Sequence, residues 1–330
     1  MPMNPSALHP RLPELLAEVE ASIARVWEGN RGLLAQASRR VLSGRGKRLR
    51  PAVLLLAAEC AGGATERSIT LAAVVEIVHN ASLIHDDIVD DSSSRRGRRS
   101  AKAVWGNKVS VLLGDYLVAK GFSLLPEADR DRLVEEMAGV AMRMCEGQVK
   151  ELRRAGRPVC EREYLEMVKA KTGALFRFCA RAGAETAGGS AELAQMLAEF
   201  GERFGVAFQL ADDILDLVGC NGRSGKPEAR DLSEGKFTLP LILAASQGGR
   251  EVRSELTRLA QKERISVAEL RRAREIVYAT RAVDRAWQRV HEWLAAAREQ
   301  LEPVPPSPAK QALLLMAGER FPLPVMPPVR

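Results

Sequence analysis

Apolar residues recur along most of this chain at intervals of three or four, the spacing of one face of a helix. Between residues 13 and 42 the pattern predicts a single amphipathic helix. The run 51–60 is apolar enough to be a buried helix, and its Pro51 suits a first helical turn. Residues 67–91 are apolar on several faces, so we expect this helix to lie at the centre of the fold.

The helical periodicity continues through the rest of the chain. It predicts helices at about 108–124, 127–155, 161–186 and 191–218, helical segments between 238 and 301, and a short helix at 308–318. Polar or glycine-rich loops are expected at 92–107 and 219–236. Alternation of β-branched residues is nowhere long enough to build a sheet. We therefore predict an all-α fold with one domain over residues 1–330, in which 1–12 and 321–330 are loose tails.

Composition narrows the class of protein. Hydrophobic residues make up 46% and charged residues 28%, which is typical of a globular domain. The net charge of +7 suggests nucleic acid, an anionic membrane or an anionic small molecule as a partner. Nucleic acid is discounted, because the basic residues are not interleaved with aromatics and form no zinc-finger or basic-zipper pattern.

The sequence also predicts where the protein works. The N-terminus lacks the basic start and apolar core of a signal peptide, and no uncharged apolar run approaches the roughly 18 residues of a membrane helix. Five cysteines are dispersed without a C-x-x-C pair, which predicts reduced, buried thiols. A cytoplasmic location is therefore expected.

Two clusters of aspartates follow apolar helical segments. Asp86 and Asp90 are four residues apart, so on a helix they lie on one face, where two carboxylates repel unless a cation joins them. Mg²⁺ usually binds one or two carboxylates together with substrate phosphates. The same spacing returns at Asp212, Asp213 and Asp216. Two such motifs in one helical chain are hard to ascribe to surface decoration, and together they could hold several Mg²⁺ ions and one diphosphate.

Basic residues lie near the aspartate clusters and near glycines. They are Lys47, Arg48, Arg50, Arg95, Arg96, Lys171, Lys226 and Lys236. Arginine binds phosphate oxygens through two-point contacts, and lysine supplies a compact charge. A basic run is more often a solvated face, but here both acidic clusters are followed by basic residues within about two dozen positions. This pairing favours a site in which metal ions and basic side chains bind an anion.

Seven motifs carry a resemblance to a known family. In order they are 46-GKRLRP-51, 76-EIVHNASLIHDDIVDDSSSRRG-97, 113-LGDYLVAK-120, 146-EGQ-148, 171-KT-172, 208-FQLADDILD-216 and 225-GKPEARDLSEGKFTLP-240. With these motifs the chain resembles the trans-isoprenyl (polyprenyl) diphosphate synthases.

The resemblance implies a fold and a reaction. The family fold is a bundle of antiparallel helices around a deep central active-site cavity, usually in a homodimer. The family reaction is head-to-tail condensation, in which an allylic diphosphate ionises with the help of Mg²⁺ and the double bond of isopentenyl diphosphate attacks the resulting cation. A proton is then lost, with the released diphosphate as its acceptor. Three Mg²⁺ ions per active site are expected.

Roles for individual residues follow from the same resemblance. Direct Mg²⁺ ligands are expected at Asp86, Asp90 and Asp212, with supporting or water-mediated contacts from Asp87, Asp213 and Asp216. The allylic diphosphate would be held by Arg95, Lys171, Thr172, Gln209, Lys226 and Lys236. Isopentenyl diphosphate would be held by Lys47, Arg50, His79 and Arg96. Catalysis would rest on the six aspartates and Lys171.

The chain departs from the family pattern at four loop positions. Arg45 stands where a second glycine is common, and Ser94 where a leucine often precedes the arginine pair. Arg99 stands where a proline is usual, and Ala229 where a glycine is common. None of these changes removes a predicted ligand, but they could alter the closure of the two active-site loops.

The length of the product should depend on the floor of the cavity. One helical turn rises about 5.4 Å, close to the span of one extended isoprene unit. One or two turns before Asp86 the chain has Ser82, Ala81 and Val78, none of them aromatic. Bulky aromatics there mark short-chain members of the family, so we expect a long-chain product such as a quinone side-chain precursor. A shorter product, geranylgeranyl or farnesyl diphosphate, stays open, because small residues also permit close helix packing.

Two other functions are weighed against this one. A class I terpene cyclase is also all-α, but its second metal motif is usually mixed Asn, Ser and Glu, and it needs no pocket for a second substrate. A non-catalytic regulatory subunit of a prenyl synthase would be expected to lose aspartates or basic residues, and both sets survive here. Release of the product at a membrane surface is left open.

Overall fold

The computed structural model describes residues 8–44, 46–95, 97–219, 230–262 and 264–318. Within these residues the regular structure is helical apart from one short hairpin, in which β1 (Ser94–Arg95) pairs antiparallel with β2 (Arg98–Arg99). The predicted all-α fold is confirmed.

The helices follow one another with short connections. The first part of the chain contains α1 (Leu12–Arg25), α2 (Leu33–Leu42), α3 (Leu49–Cys60), α4 (Glu66–Val89), α5 (Ala101–Ser123) and α6 (Arg130–Arg154). The second part contains α7 (Glu161–Val168), α8 (Ala174–Thr186), α9 (Ala191–Val218), α10 (Arg230–Ser233), α11 (Leu239–Gln247), α12 (Gly249–Ala260), α13 (Val267–Ala279), α14 (Ala282–Glu299) and α15 (Pro308–Met316). A π-helical turn, Lys169–Gly173, joins α7 to α8.

Helix α4 lies at the centre of the structure, as its sequence predicts. It begins at a capping box, in which the side chains of Thr65 and Ser68 each accept the backbone N–H of the other at 3.3 Å. It packs against α1, α3 and α5. Helix α8 packs against α3 and α9, and α9 packs against α14. Buried apolar side chains from Leu8 to Ala317 belong to one hydrophobic cluster, while the single domain over 1–330 stays a prediction.

Two helix pairs approach so closely that a side chain cannot fit between them. A Cβ at Gly183 in α8 would lie 2.1 Å from the backbone oxygen of Leu54 in α3. A Cβ at Gly201 in α9 would lie 2.5 Å from the backbone oxygen of Phe176 in α8. Glycine at these two positions therefore lets the backbones of α3, α8 and α9 pack in direct contact, which fixes the position of α9 relative to the other core helices.

By length and composition, α4 is the one helix of the described chain that would suffice to cross a membrane, or one of two if the bent pair α5–α6 counts as a span. Two-thirds (67%) of its most apolar window is buried inside the structure, which is the burial expected of a core helix.

Several element boundaries differ from the prediction. The helix expected over 13–42 is two helices, because Gly29 adopts a left-handed φ of +73° and Gly32 caps the second. The loop expected over 92–107 holds the hairpin, and α5 already begins at Ala101, where Ser100 accepts the N–H of Ala103. In the second predicted loop, α10 forms a short helix, and residues 220–229 lie outside the described residues.

Two smaller expectations are corrected as well. Leu8 and Leu12 are buried, so the loose N-terminal tail does not extend to residue 12; residues 1–7 and 319–330 lie outside the described chain. The described cysteines are free thiols, but Cys145 and Cys160 are exposed, so the prediction of buried thiols is wrong for these two. Cys145 lies on α6 between the exposed Met142 and Val149, and Cys160 is the N-cap of α7.

Candidate active site

The two aspartate motifs lie at the carboxyl ends of two core helices. Asp86 and Asp87 are in the last turn of α4, and Asp90 is its C-cap, with its N–H bonded to the oxygen of Asp86 at 2.8 Å. The second motif ends α9, which stops at Val218. The carboxyl end of a helix carries partial negative charge, so carboxylates there are destabilised unless cations offset them. Both α4 and α9 place aspartates at this unfavourable end, which indicates that the two motifs have a shared role.

Two of the three carboxylates predicted to bind metal directly have no hydrogen-bond partner within the described residues. Within the described residues, the side chains of Asp86 and Asp212 make no hydrogen bond or ion pair. Asp90 forms two ion pairs: its oxygens accept from Nη2 of Arg230 at 3.4 Å and from Nζ of Lys236 at 3.5 Å. These three aspartates therefore retain oxygens that can bind a further cation.

The carboxylates predicted to play a supporting role are held by other groups of the protein. Asp87 accepts a hydrogen bond from Nε of Arg95 at 2.8 Å. Asp216 accepts the backbone N–H of Asp231 at 3.0 Å. Asp213 accepts from the amide of Gln209 at 2.7 Å and from the hydroxyl of Tyr164. The supporting aspartates thus differ from Asp86 and Asp212, but not from Asp90, and the division into direct and supporting ligands stays a prediction.

Lys171 and Thr172 lie on the π-helical turn between α7 and α8. Such turns are frequent at functional sites, because they displace side chains from the regular helical positions. The hydroxyl of Thr172 donates to Oε1 of Gln209 at 2.9 Å, which connects this turn to the second aspartate motif. Lys171 is packed over Gly147, where a Cβ would lie 2.8 Å from its Cγ. The sequence motifs 146–148 and 171–172 are therefore brought into contact.

The basic residues of the site are balanced by glutamates that sequence analysis missed. Nζ of Lys171 bonds Oε2 of Glu151 at 2.6 Å, and Nζ of Lys236 lies 3.6 Å from the same oxygen and 2.6 Å from Glu234. Burial opposes the charge of Lys236, but these carboxylates outweigh it and raise its pKa. Burial likewise opposes ionisation of Glu151, yet Lys171 and Lys236 lower its pKa. Lys236 and Glu151 are therefore charged at neutral pH.

Burial also affects the aspartates themselves. It raises the pKa of Asp86, against the opposing effect of Lys171 and Arg95. It raises the pKa of Asp213 to about 7, against the hydrogen bonds from Tyr164 and Gln209. Since desolvation penalises the ionised form, a cation placed beside these carboxylates would offset an existing cost.

The residues predicted to hold isopentenyl diphosphate are partly brought together. Nη1 of Arg50 lies 3.0 Å from Nε2 of His79, and its guanidinium stacks 4.7 Å from the ring centre of Phe176. Lys47 is exposed on the loop before α3. Two predicted ligands, Arg96 and Lys226, lie outside the described residues, as do the departures Arg45 and Ala229.

Arg48 belongs to the same basic segment but has a structural role. It adopts a left-handed φ of +48°, forms ion pairs with Glu20 and the buried Glu76, and donates to the backbone oxygen of Leu42 at 2.9 Å. Its guanidinium is therefore already satisfied by the protein and is not available to a substrate.

The residues predicted to set product length lie in different surroundings. Ala81 is fully buried. Ser82 is half-buried and donates to the backbone oxygen of His79 at 2.8 Å. Val78 packs under α5, where a Cβ at Gly121 would lie 3.1 Å from its Cγ2. Close helix packing thus explains part of the small-residue pattern, and the role in product length stays a prediction.

Sequence analysis missed several residues that contact the predicted ones. They are Glu151, Tyr164, Arg230, Asp231 and Glu234. Arg230, Asp231 and Glu234 lie inside the motif 225–240, so their place in that motif could have marked them as candidate site residues. Nothing in the sequence links Tyr164 to Asp213, which is 49 residues away and meets it only in the fold.

Comparison with known proteins decides the family. The sequence model of the polyprenyl synthetase family matches residues 31–277. The chain belongs to the polyprenyl synthetase family. The predicted family, its all-α fold and the assignment as a prenyltransferase are thereby confirmed.

Individual relatives are similar over most of their length. The chain is 36% identical to an octaprenyl diphosphate synthase from Haemophilus influenzae over 86% of this chain and 87% of that protein. It is 37% identical to a geranylgeranyl pyrophosphate synthase from Geoglobus acetivorans, over 86% and 89%. Its structure is similar to a polyprenyl synthase from Caulobacter crescentus crystallised with calcium and isoprenyl diphosphate, with a TM-score of 0.89, 33% identity and coverage of 96% and 97%.

The contact of Tyr164 with Asp213 generates a prediction. Replacing Tyr164→Phe removes a buried donor to a carboxylate, so the free energy of unfolding should fall by about 1.5–3 kcal/mol. Urea unfolding at about pH 8, where Asp213 is ionised, measures the change in the free energy of unfolding. The matched control is Tyr278→Phe, at a half-buried position on α13. Equal losses in the two variants would show that the Tyr164 hydroxyl contributes nothing specific.

Proposed function

We propose that the chain condenses isopentenyl diphosphate with an allylic diphosphate, head to tail and with Mg²⁺, to give a longer all-trans polyprenyl diphosphate. One observation carries this proposal. At the ends of α4 and α9, Asp86 and Asp212 have no partner among the described residues, while Lys171, Arg95 and Lys236 all act electrostatically on Asp86. Carboxylates that can bind a cation and basic groups that can bind an anion therefore meet in one place.

The donor set fits Mg²⁺. Within the described residues no three acidic, imidazole or thiol groups are close enough to hold a metal ion by themselves. That is the arrangement expected when the ion is bound by one or two carboxylates and completed by substrate phosphates. The ligands would be Asp86, Asp90 and Asp212, whose oxygens are hard donors. The calcium and isoprenyl diphosphate in the Caulobacter crescentus polyprenyl synthase support a divalent metal together with a diphosphate here.

The chain's own residues would act mainly by electrostatics. As the allylic carbon–oxygen bond breaks, negative charge grows on the departing diphosphate, and Lys171, Arg95 and Lys236 stabilise that charge more than they stabilise the substrate. Bound Mg²⁺ would add Lewis acidity at the diphosphate oxygens. Arg50 and His79, with Lys47, would orient isopentenyl diphosphate so that its double bond reaches the cation. The proton lost afterwards would pass to the released diphosphate, so no histidine base is required.

The metal assignment predicts different outcomes for two neighbouring aspartates. Asp86→Asn removes an unpartnered carboxylate, so turnover should fall by at least about a hundredfold. Asp91→Asn is the matched control, because this side chain is 93% exposed and its ion-pair partner among the described residues is Lys102. Incorporation of radiolabelled isopentenyl diphosphate at saturating Mg²⁺ measures both. Similar activity in the two variants would remove Asp86 from the site.

The proposed product is long. Its support is the absence of aromatic side chains at the positions one and two turns before Asp86, namely Ser82, Ala81 and Val78. The names of relatives include both short-chain and long-chain synthases, up to a nonaprenyl diphosphate synthase.

A bulky side chain should shorten the product. Ala81→Phe places an aromatic ring one turn below the metal site, where the growing chain would otherwise pass, and the product should lose several isoprene units. Val89→Phe adds the same ring to an exposed position of the same helix and should leave the product unchanged. Chromatography of the labelled products gives the size ladder. An unchanged ladder for Ala81→Phe would place the floor of the cavity elsewhere.

We also propose that the enzyme is a cytoplasmic homodimer with three Mg²⁺ ions per active site. Exposed apolar residues form stripes on two consecutive helices: Val111 and Leu112 on α5, after the break in that helix at Gly106, and Met142, Val149 and Leu152 on α6. Apolar stripes at helical spacing are typical of a protein interface. Free thiols fit a reducing compartment.

The stripes predict how the dimer can be disrupted. Leu112→Asp with Met142→Asp puts two charges into the apolar surface, so the mass in solution should fall from that of two chains to that of one. Val267→Asp is the control, since this residue is 79% exposed on α13, away from the stripes. Analytical ultracentrifugation distinguishes the masses, and a dimer that survives the double change would exclude this interface.

A further inference from the structure

A cavity of about 330 Å³ lies beside the site described above. It is bounded by the end of α2, one face of α4, the β-hairpin and the first turn of α5. We call it the arginine cavity, because four arginines line it: Arg40, Arg95, Arg98 and Arg99.

The arginine cavity adjoins the predicted substrate site but lies against another face of α4. Along α4 it is lined by Asn80, Ile84 and Asp87. The predicted substrate and metal ligands of this helix are the preceding residues, His79 and Asp86. Consecutive residues of an α-helix point about 100° apart, so the two sites lie against different faces of α4.

Positive charge in the arginine cavity is not balanced. The one carboxylate among its lining residues, Asp87, is already bonded to Arg95 at 2.8 Å. Arg99 donates to the backbone oxygen of Ala103, and the guanidinium of Arg40 lies 5.9 Å from the ring centre of Trp105. Neither of these contacts neutralises charge. Four cations with one carboxylate repel one another, and a bound anion would remove that repulsion.

The other walls are apolar. Leu83, Ile84, Val41 and Trp105 line the same space, next to the guanidinium groups. Arginine forks suit phosphate oxygens, and an apolar wall suits a hydrocarbon attached to them. We propose that the arginine cavity binds a diphosphate that carries a short apolar group, separately from the catalytic site.

The arginine cavity shares two residues with the predicted catalytic site, Arg95 and the supporting aspartate Asp87. Arg95 lines the cavity and is also a predicted ligand of the allylic diphosphate. A diphosphate in the cavity competes for this guanidinium and weakens binding of the allylic substrate. The cavity therefore acts as an inhibitory site at high concentrations of prenyl diphosphate.

The test measures how many diphosphate ligands the full chain binds when no Mg²⁺ is present. In EDTA, calorimetric titration uses two probes, inorganic diphosphate and the unreactive thio analogue of geranyl diphosphate. The wild type should bind the analogue at the arginine cavity in addition to the basic groups of the catalytic site. Arg40→Ala with Arg98→Ala should weaken the additional binding by at least about tenfold. The control Arg271→Ala with Arg285→Ala removes the same charge from exposed positions on α13 and α14 and should bind like the wild type.

Each outcome decides the proposal. Unchanged binding in the Arg40 and Arg98 variant, or the same loss in the control, overturns the site. Equal affinity for inorganic diphosphate and the analogue overturns the role of the apolar wall. Prenyl transfer by the variant at low substrate should stay within about twofold of the wild type, which shows that it is folded. Relief of inhibition at high allylic diphosphate should accompany the lost binding, and persisting inhibition contradicts the coupling through Arg95. Failure of this site leaves the proposed reaction intact, because that reaction depends on Asp86 and Asp212.

Discussion

The arrangement of this protein depends on carboxylates placed where the backbone disfavours them. Two helices, α4 and α9, each end in an aspartate motif at the negative end of the helix dipole. Burial adds to the cost and raises the pKa of Asp86. Such a placement is stable only if positive charge is nearby, and the surrounding residues supply part of it. Lys171, Arg95 and Lys236 surround Asp86, while Glu151 and Glu234 keep two of these cations in place. Unpaired carboxylate oxygens therefore remain that can bind a metal ion, and the basic side chains beside them can bind an anion.

The helical scaffold fixes that charge distribution. Glycines at 183 and 201 let α3, α8 and α9 pack with their backbones in contact, so the second aspartate motif cannot drift from the core. The π-helical turn before α8 brings Thr172 to Gln209, and Gln209 in turn bonds Asp213. Tyr164 completes this chain of hydrogen bonds from the other side. Its own pKa is raised by burial and by Asp213, so it remains a donor at neutral pH.

Local sequence patterns predicted the long helices well, because α4 and α9 are apolar over many turns and end at polar clusters. They also predicted that each aspartate motif lies on a helix, since the spacing of three and four residues is itself helical. They did not predict contacts between distant segments. Glu151 and Tyr164 meet their partners only after α6, α7 and α9 have packed. The sequence pattern also did not show that Arg48 is structural whereas Arg50 can bind a substrate. That difference arises from the left-handed backbone at Arg48 and from its ion pair with the buried Glu76.

Because carboxylates and basic groups lie close together, the binding of Mg²⁺ and the binding of a diphosphate should each strengthen the other. Calorimetric titration of Mg²⁺ into the full chain, with and without an unreactive thio analogue of the allylic diphosphate, measures this mutual effect. If the site is completed by both ligands, the affinity for Mg²⁺ rises by at least about tenfold when the analogue is bound, and the affinity for the analogue rises by the same factor when Mg²⁺ is present. Equal Mg²⁺ affinity with and without the analogue would contradict a site in which Asp86, Asp90 and Asp212 bind the metal together with a diphosphate.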